Sequence, residues 1–412
     1  MAGKRSALLW GPFFIFLVAF TLHINQMFVM FCTLAFLAPV SYFIGRRKLE
    51  GLEVVRHSRS VMTAGEVGTV SLRLRNRTGL RRSFIAVQDV LPEGLESPDG
   101  ARVLVPDLPP GADEPLQYRL AARRRGAYQI GPLRLECHDF LGLYRFTRRL
   151  GPVAELLVYP QAVPMPNLWR PAARGVTPRR SRRRRLGLSG DFAGVRAYVP
   201  GDDLRRVDWK SSARQGRLTV IETENPETTE AVVILDLQRG THVGRGERST
   251  LEYGATLAAS LAAEAENRGC VVGLVAEGAT DHSVPAWGGP RQQLQILEAL
   301  ARAQDDGTQP LSAVISAHET SFPQGCPVAV ISAGFSADHV TAAARLRVLG
   351  HPVTWFALVP HTFEPSGAAR PVPGYEEFIS ALAVQGATIV RVHGDEPLSA
   401  SLWRQSHRVH SG

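Results

Sequence analysis

Cysteine is scarce in this chain. Four residues in 412, Cys32, Cys137, Cys270 and Cys326, lie far apart and form no C-x-x-C pair. That spacing excludes a disulfide-dense scaffold and a cysteine-rich zinc module, and it suits a reducing compartment. H-E-x-x-H, G-x-x-x-x-G-K-[ST] and G-x-S-x-G are absent, so the common metalloprotease, P-loop and hydrolase signatures do not apply. Acidic residues are short in the front half only. Residues 1–230 carry 35 Lys/Arg against 21 Asp/Glu, whereas residues 231–412 carry 12 against 17, for a net charge of +9. A basic front and a mildly acidic back predict modules with different surroundings. With 44% apolar and 21% charged residues, the composition is that of a globular protein of two or three domains.

Charge is absent from Leu8 to Gly45, apart from a proton that His23 can take up. This exceeds the roughly 20 residues needed to cross a bilayer core. The stretch divides at His23-Ile24-Asn25-Gln26, which predicts spans at Leu8–Leu22 and Met27–Gly45 within a hairpin over residues 1–48. A cleaved signal peptide would have a shorter apolar region and a small-residue cleavage site. Lys4 and Arg5 flank one outer end and Arg46, Arg47 and Lys48 the other, so the basic flanks predict both ends in the cytoplasm. The expected location is the cell membrane, crossed twice, with cytoplasmic soluble domains.

Residues 52–158 predict an immunoglobulin-like β-sandwich. Val67–Arg75 alternates apolar and polar side chains, and turn clusters such as Pro92-Glu-Gly94 and Pro109-Pro-Gly111 punctuate short apolar runs. A proline-rich linker follows over 160–186 and ends in Arg179-Arg-Ser-Arg-Arg-Arg-Arg185. That run suits anionic lipid or an acidic protein surface. It contains no aromatic residue to stack bases, so nucleic-acid binding is not expected. From residue 231 the apolar runs Ala231–Leu237, Val271–Ala276, Val328–Ile331, Val353–Val359 and Ala387–Val392 predict buried parallel strands. Helical stretches Thr250–Arg268, Arg291–Gln304, Ala337–Leu349 and Tyr375–Gln385 alternate with them. The expectation is a doubly wound, Rossmann-like α/β domain over 231–394, with a C-terminal helix and tail over 395–412. Without G-x-G-x-x-G, a dinucleotide site is not expected.

Between linker and α/β domain, the segment 187–230 contains Gly190–Arg214, the most unusual stretch of the chain. Pro200-Gly201 reads as a turn, and Asp202 or Asp203 as the cap of a following helix with Leu204, Val207 and Ser211 on one face. Asp202 with Arg206, and Arg205 with Trp209, are four residues apart and spaced to pair. The three carboxylates Asp202, Asp203 and Asp208 interleave with arginines. This favours structural or docking use over acid–base or metal chemistry.

The segment resembles the signature of domain-of-unknown-function family fifty-eight, membrane proteins associated with MoxR-type AAA+ ATPases. Its pattern falls on Arg196, Tyr198, Pro200, Gly201, Asp202, Asp203, Arg206, Asp208, Trp209, Ser212, Ala213 and Arg214, with Val207 where isoleucine is common. Arg124–Pro132 is a second match, and the family's D-P-F-G-L element appears as Asp139-Phe-Leu-Gly-Leu143. The resemblance implies a von Willebrand A-like C-terminal domain and a cytoplasmic MoxR-type ATPase partner, with no enzyme activity or cofactor. Metal-binding relatives of that fold carry D-x-S-x-S after the first strand. Here Asp236-Leu-Gln-Arg-Gly240 keeps only the aspartate, and the later loop reads Ser332-Ala-Gly334. Arg239 would add positive charge beside the cation's place, so no working metal site is expected at Asp236.

The resulting expectation is a membrane-anchored, non-catalytic adaptor or assembly factor working with such an ATPase. A structural, envelope-associated interaction protein is the alternative. A hydrolase built on Asp202, Asp203 and Asp208 is the weakest reading.

Overall fold

The computed structural model describes residues 2–22, 25–166, 168–169, 191–199, 207–224, 230–289, 291–364 and 373–410. They fall into two compact units, Met1–Gln161 and Ala162–Gly412. His23, Ile24, the arginine run Arg179–Arg185, and Pro200, Gly201, Asp202, Asp203, Leu204, Arg205 and Arg206 lie outside the described residues.

The first unit opens with helices α1 (Ala2–Leu22) and α2 (Asn25–Arg47). They pack through Phe16, whose ring lies 5.9 Å from Phe28 and 5.0 Å from Phe31. Among the described residues α2, at 23 residues, is the one helix long and apolar enough to cross a membrane; the apolar part of α1, Trp10–Leu22, is shorter.

A β-rich region follows. Strands β1 (Leu52–His57), β2 (Val61–Thr63), β3 (Val67–Asn76), β4 (Arg82–Gln88), β5 (Leu95–Glu96) and β6 (Arg102–Leu108) come first. β7 (Asp113–Ala122), β8 (Gly126–Ile130), β9 (Leu133–His138), β10 (Arg145–Leu150) and β11 (Ala154–Tyr159) complete it. They form two four-stranded antiparallel sheets, β1-β3-β7-β5 and β10-β9-β4-β6, and a small third sheet, β2-β11-β8. The alternation along β3 is realised as expected: Val70, Leu72 and Leu74 are buried and Arg73 and Arg75 exposed. They join Ile85, Val105, Leu120 and Leu135 in one apolar core. Inside it sits a buried charge centre. The Arg56 guanidinium donates to Asp89 Oδ2 (2.7 Å) and to the Ile130 carbonyl (2.5 Å), and Tyr118 donates to the same carboxylate oxygen (2.6 Å).

In the second unit, residues at the head of the proline-rich stretch lie on the α/β core. Leu168 and Trp169 are buried there, and the Val163 N–H donates to Ser260 Oγ (2.9 Å). β12 (Asp191–Ala197) then pairs antiparallel with β13 (Thr219–Glu224), with α3 (Trp209–Gln215) between them.

The parallel sheet consists of β14 (Glu230–Leu235), β17 (Val271–Val275), β18 (Val328–Ser332), β19 (Val353–Leu358) and β20 (Thr388–Val392), in the order β17-β14-β18-β19-β20. A short hairpin, β15 (Gly244–Arg245) with β16 (Arg248–Ser249), precedes α4 (Thr250–Asn267). Residues alternate between two cores along each strand. Val233 and Leu235 face α4, α5 (Gln292–Arg302) and α9 (Leu398–His410). Val232 and Ile234 face α6 (Leu311–His318), α7 (Ala337–Val348) and α8 (Tyr375–Val384). Both faces are thus covered, which is why these strands read as continuous apolar runs. Strands and helices fall within a few residues of expectation; α6 was not anticipated.

Candidate functional site

The strand order places a feature that α/β sheets use for ligands. From β14 the chain moves to β17 on one side and then to β18 on the other, so the direction reverses between β14 and β18. A crevice beyond the carboxyl ends of such strands is where ligands of open α/β sheets bind. Asp236 follows β14 directly, and Ser332 ends β18. Both are buried, Asp236 at 2% exposure.

The Asp236 carboxylate is fully engaged by the protein. Its Oδ1 accepts the Gln238 N–H (3.0 Å), an Asx turn that starts the following loop. Its Oδ2 accepts the Ser332 hydroxyl (2.6 Å) and Nε2–H of His339 (3.0 Å). His339 stands on the first turn of α7 and is itself buried. Its other nitrogen, Nδ1, lies 2.8 Å from Ser336 Oγ, and its ring packs edge-on against Trp355 and Phe378. Ser332 Oγ in turn accepts the Gly334 N–H (2.8 Å). A Cβ on Gly334 would sit 2.1 Å from His339 Nε2, so glycine is what lets the imidazole reach the carboxylate. Burial opposes ionisation of Asp236, but the hydrogen bonds and charge from His339, with those from Ser332 and Gln238, hold its carboxyl below the usual carboxylate range. The Asp236 carbonyl is also occupied, by His242 Nε2 (2.7 Å).

The resemblance to metal-binding domains can therefore be tested at this point. Mg²⁺ takes several hard oxygen ligands in octahedral array. Here Asp236 supplies a carboxylate, and a ring N–H points at its Oδ2. Among the described residues no three His, Cys, Asp or Glu side chains come together as a metal set. The residues present do not fit the cation. The positive partner expected beside Asp236 was Arg239, whose side chain is exposed and whose N–H is bound to the Gly307 carbonyl (2.8 Å). His339 holds that place instead. Only Ser336-x-x-His339, just past the Ser332-Ala-Gly334 loop, hinted at it in the sequence.

The second candidate region is the described part of the signature. The expected cap at Asp202 or Asp203 lies outside the described residues, and Asp208 caps the helix that starts at Trp209. Its Oδ1 accepts the N–H groups of Lys210 (3.0 Å) and Ser211 (3.2 Å), and its Oδ2 the Ser211 hydroxyl (2.6 Å). The Ser211 hydroxyl and N–H, with the Lys210 N–H, hold this carboxyl below the usual range. A capped carboxylate of this kind is committed to the helix end. Val207 is extended and bridges Val220, so it does not share a helical face with Ser211. Buried Ser212 and Thr219 lock the helix to β13: the Thr219 N–H donates to Ser212 Oγ (2.9 Å), and the Asp208 N–H to the Thr219 carbonyl (2.9 Å). Gly216, at φ +64°, ends the helix in the left-handed conformation. Tyr198 is half-buried and Arg214 exposed; Arg196 lies in β12. Trp209 is 67% exposed beside exposed Lys210, and its expected partner Arg205 lies outside the described residues.

Comparison with known proteins agrees with the signature. Residues 194–358, from β12 to the end of β19, match the family described as Protein of unknown function DUF58. The chain is also similar to the Bacillus subtilis (strain 168) protein named Uncharacterized protein YeaD. They share 26% identity over 300 residues, 69% of this chain and 68% of that one. Among solved structures, native Escherichia coli alpha-2-macroglobulin aligns at 14% identity and a TM-score of 0.21, over 28% of this chain and 7% of that one. The CARDB domain of PF1109 from Pyrococcus furiosus aligns at 13% identity and 0.18, over 26% and 94%. Overlaps this slight carry no argument about fold or function.

Proposed function

We propose that this chain is a membrane-anchored, non-catalytic adaptor or assembly factor that acts with a MoxR-type AAA+ ATPase. On this reading the β-rich region is an immunoglobulin-like sandwich and the α/β region a von Willebrand A-like domain. The hairpin of α1 and α2 crosses the membrane twice, and the basic residues at its two outer ends keep the soluble domains in the cytoplasm. The match to DUF58 supports the assignment of the signature.

One observation carries the proposal. At the reversal of strand order, where an α/β sheet would take a ligand, the Asp236 carboxylate is held by His339. A carboxylate committed in this way favours contacts made through the outer surface of the domain. Trp209, exposed on a helix held rigid by the Asp208 cap and the Ser212–Thr219 lock, suits such a contact. Exposed Arg214 stands on the same helix.

Affinity capture of the full chain from detergent-solubilised membranes, with a non-hydrolysable ATP analogue present, tests the proposal. The expected result is an AAA+ ATPase retained by the wild type and lost with Trp209→Ala. Retention of other envelope proteins with no ATPase would favour the structural alternative.

A further inference from the structure

The Asp139-Phe-Leu-Gly-Leu143 element takes no part in the α/β site. It forms the tip of the β9–β10 hairpin, and Asp139 organises it. The Asp139 carboxylate accepts the Tyr144 N–H at 2.8 Å. Burial opposes its ionisation, but the Ser41 hydroxyl and the N–H groups of Tyr144, Leu143 and Leu141 hold it below the usual range. The Ser41 hydroxyl belongs to α2, so the same carboxylate that folds the tip also fastens it to the apolar helix.

The contacts descend the helix in register. Asp139 meets Ser41; the rings of Tyr144 and Phe146 lie 5.2 Å and 5.3 Å from Tyr42; and Phe146 fills the space beside Gly45. Further down, the Arg148 guanidinium donates to the Leu49 carbonyl (2.8 Å) and Lys48 Nζ to the His138 carbonyl (3.1 Å). β10 therefore runs alongside the end of α2, with the hairpin tip toward the helix interior. Ser41 stands six residues before Arg47, which at 1.5 Å per residue is about 9 Å back into the span from its basic end. The headgroup layer on each side of a bilayer is about 5–8 Å thick. A tip fastened at Ser41 thus reaches the level of the headgroups or the acyl boundary. Its side chains match that depth: Phe140 is 51% exposed, and Tyr42 and Tyr144 are the residue type enriched at membrane interfaces. Arg46 and Arg47, at the basic end of α2, and Arg145, at the start of β10, are exposed, Arg145 sharing Glu136 (3.9 Å) with Arg102 and Arg134.

We propose that Phe140–Leu141 enters the interfacial layer of the bilayer that α2 crosses, with Arg46, Arg47 and Arg145 binding the phosphates of anionic phospholipids around it. This rests on the reading of α2 as a span. The sandwich is then held at a fixed depth by two membrane elements, where α2 alone would leave it free to swing.

The test uses the full chain with Cys32→Ser, the other three cysteines being buried. Single spin labels at Phe140→Cys, Phe36→Cys in α2 and Leu104→Cys in β6 are compared in nanodiscs of phosphatidylcholine and phosphatidylglycerol, by collision with oxygen and with a water-soluble nickel chelate. Phe36 and Leu104 are exposed in the fold, so labels there leave it intact. The expected result is position 36 in hydrocarbon, 104 in water, and 140 at intermediate depth. Omitting phosphatidylglycerol should move label 140 outward, a shift abolished in Arg46→Gln/Arg47→Gln/Arg145→Gln. Position 140 as aqueous as 104, with 36 in hydrocarbon, would overturn the proposal while leaving the span intact. Aqueous 36 would overturn both. A lipid-dependent shift that persists in the triple variant would overturn the phosphate-binding part.

Discussion

Asp89 in the first unit and Asp236 in the second are buried aspartates held in different ways. In the β-rich region Asp89 is held by a guanidinium and a phenol, Arg56 and Tyr118. In the α/β region Asp236 is held by an imidazole, a serine hydroxyl and a backbone N–H. Arg56 carries a permanent charge and also ties down the Ile130 carbonyl, so the first centre is a cross-brace between strands. An imidazole carries charge only when protonated, and His339 sits at the end of a parallel sheet where α/β proteins place ligands. The first centre ties strands of the β-rich region together. The second commits the Asp236 carboxylate to donors from the chain itself.

The comparison can be broken most forcefully in the β-rich region. Asp89→Ala leaves the buried Arg56 guanidinium unpaired, and breaking a buried pair in this way costs about 3–5 kcal/mol. Thermal unfolding of the full chain in detergent should show the β-rich transition falling sharply at every pH from 5 to 8. His339→Ala leaves Asp236 buried without its ring partner, a loss of about 3 kcal/mol at neutral pH, at the low end of the same range. Unlike the first, this loss should shrink as pH falls, because the stranded carboxyl relieves its penalty by taking up a proton. In the wild type the sign is opposite. The Asp236 carboxyl is depressed by folding, so its contribution is present above the unfolded carboxylate pKa and lost as pH drops through the lower folded value. Unfolding of wild type and variant over acidic pH separates the two.

Gly334→Ala is the next step down. Its Cβ would meet His339 Nε2 at 2.1 Å, and relief of such overpacking costs about 1–3 kcal/mol. A shifted His339 ring resonance in an NMR spectrum would report the displaced imidazole. Trp209→Ala should be the mildest for stability, within about 0.5 kcal/mol, because the ring is exposed. Its effect belongs to partner capture.

Trp209 also marks where sequence reasoning stopped. A tryptophan among charges four residues apart reads equally as a buried anchor or an exposed one, and only its place on a seven-residue helix decides. The helix cap was ambiguous for a related reason. The turn at Pro200-Gly201 draws the capping rule to Asp202 or Asp203, whereas the cap at Asp208 follows the long-range bridge Val207–Val220, which no local rule reports. By contrast, the five parallel strands were legible because burial on both faces leaves continuous apolar runs, and α4, α7 and α8 because their lengths display a helical period. Leu311–His318 was missed, being short and without a charged face until its last residue. His339 was missed because its partner is 103 positions away, a separation no local pattern reports.

The account turns on whether Asp236 is closed by the chain itself, and calorimetric titration of the full chain with Mg²⁺ or Mn²⁺ tests this most directly. The predicted result is no binding tighter than millimolar in the wild type, with Asp236→Ala giving the same trace. Micromolar affinity that Asp236→Ala abolishes would contradict it, since the carboxylate would then be open to a cation despite His339.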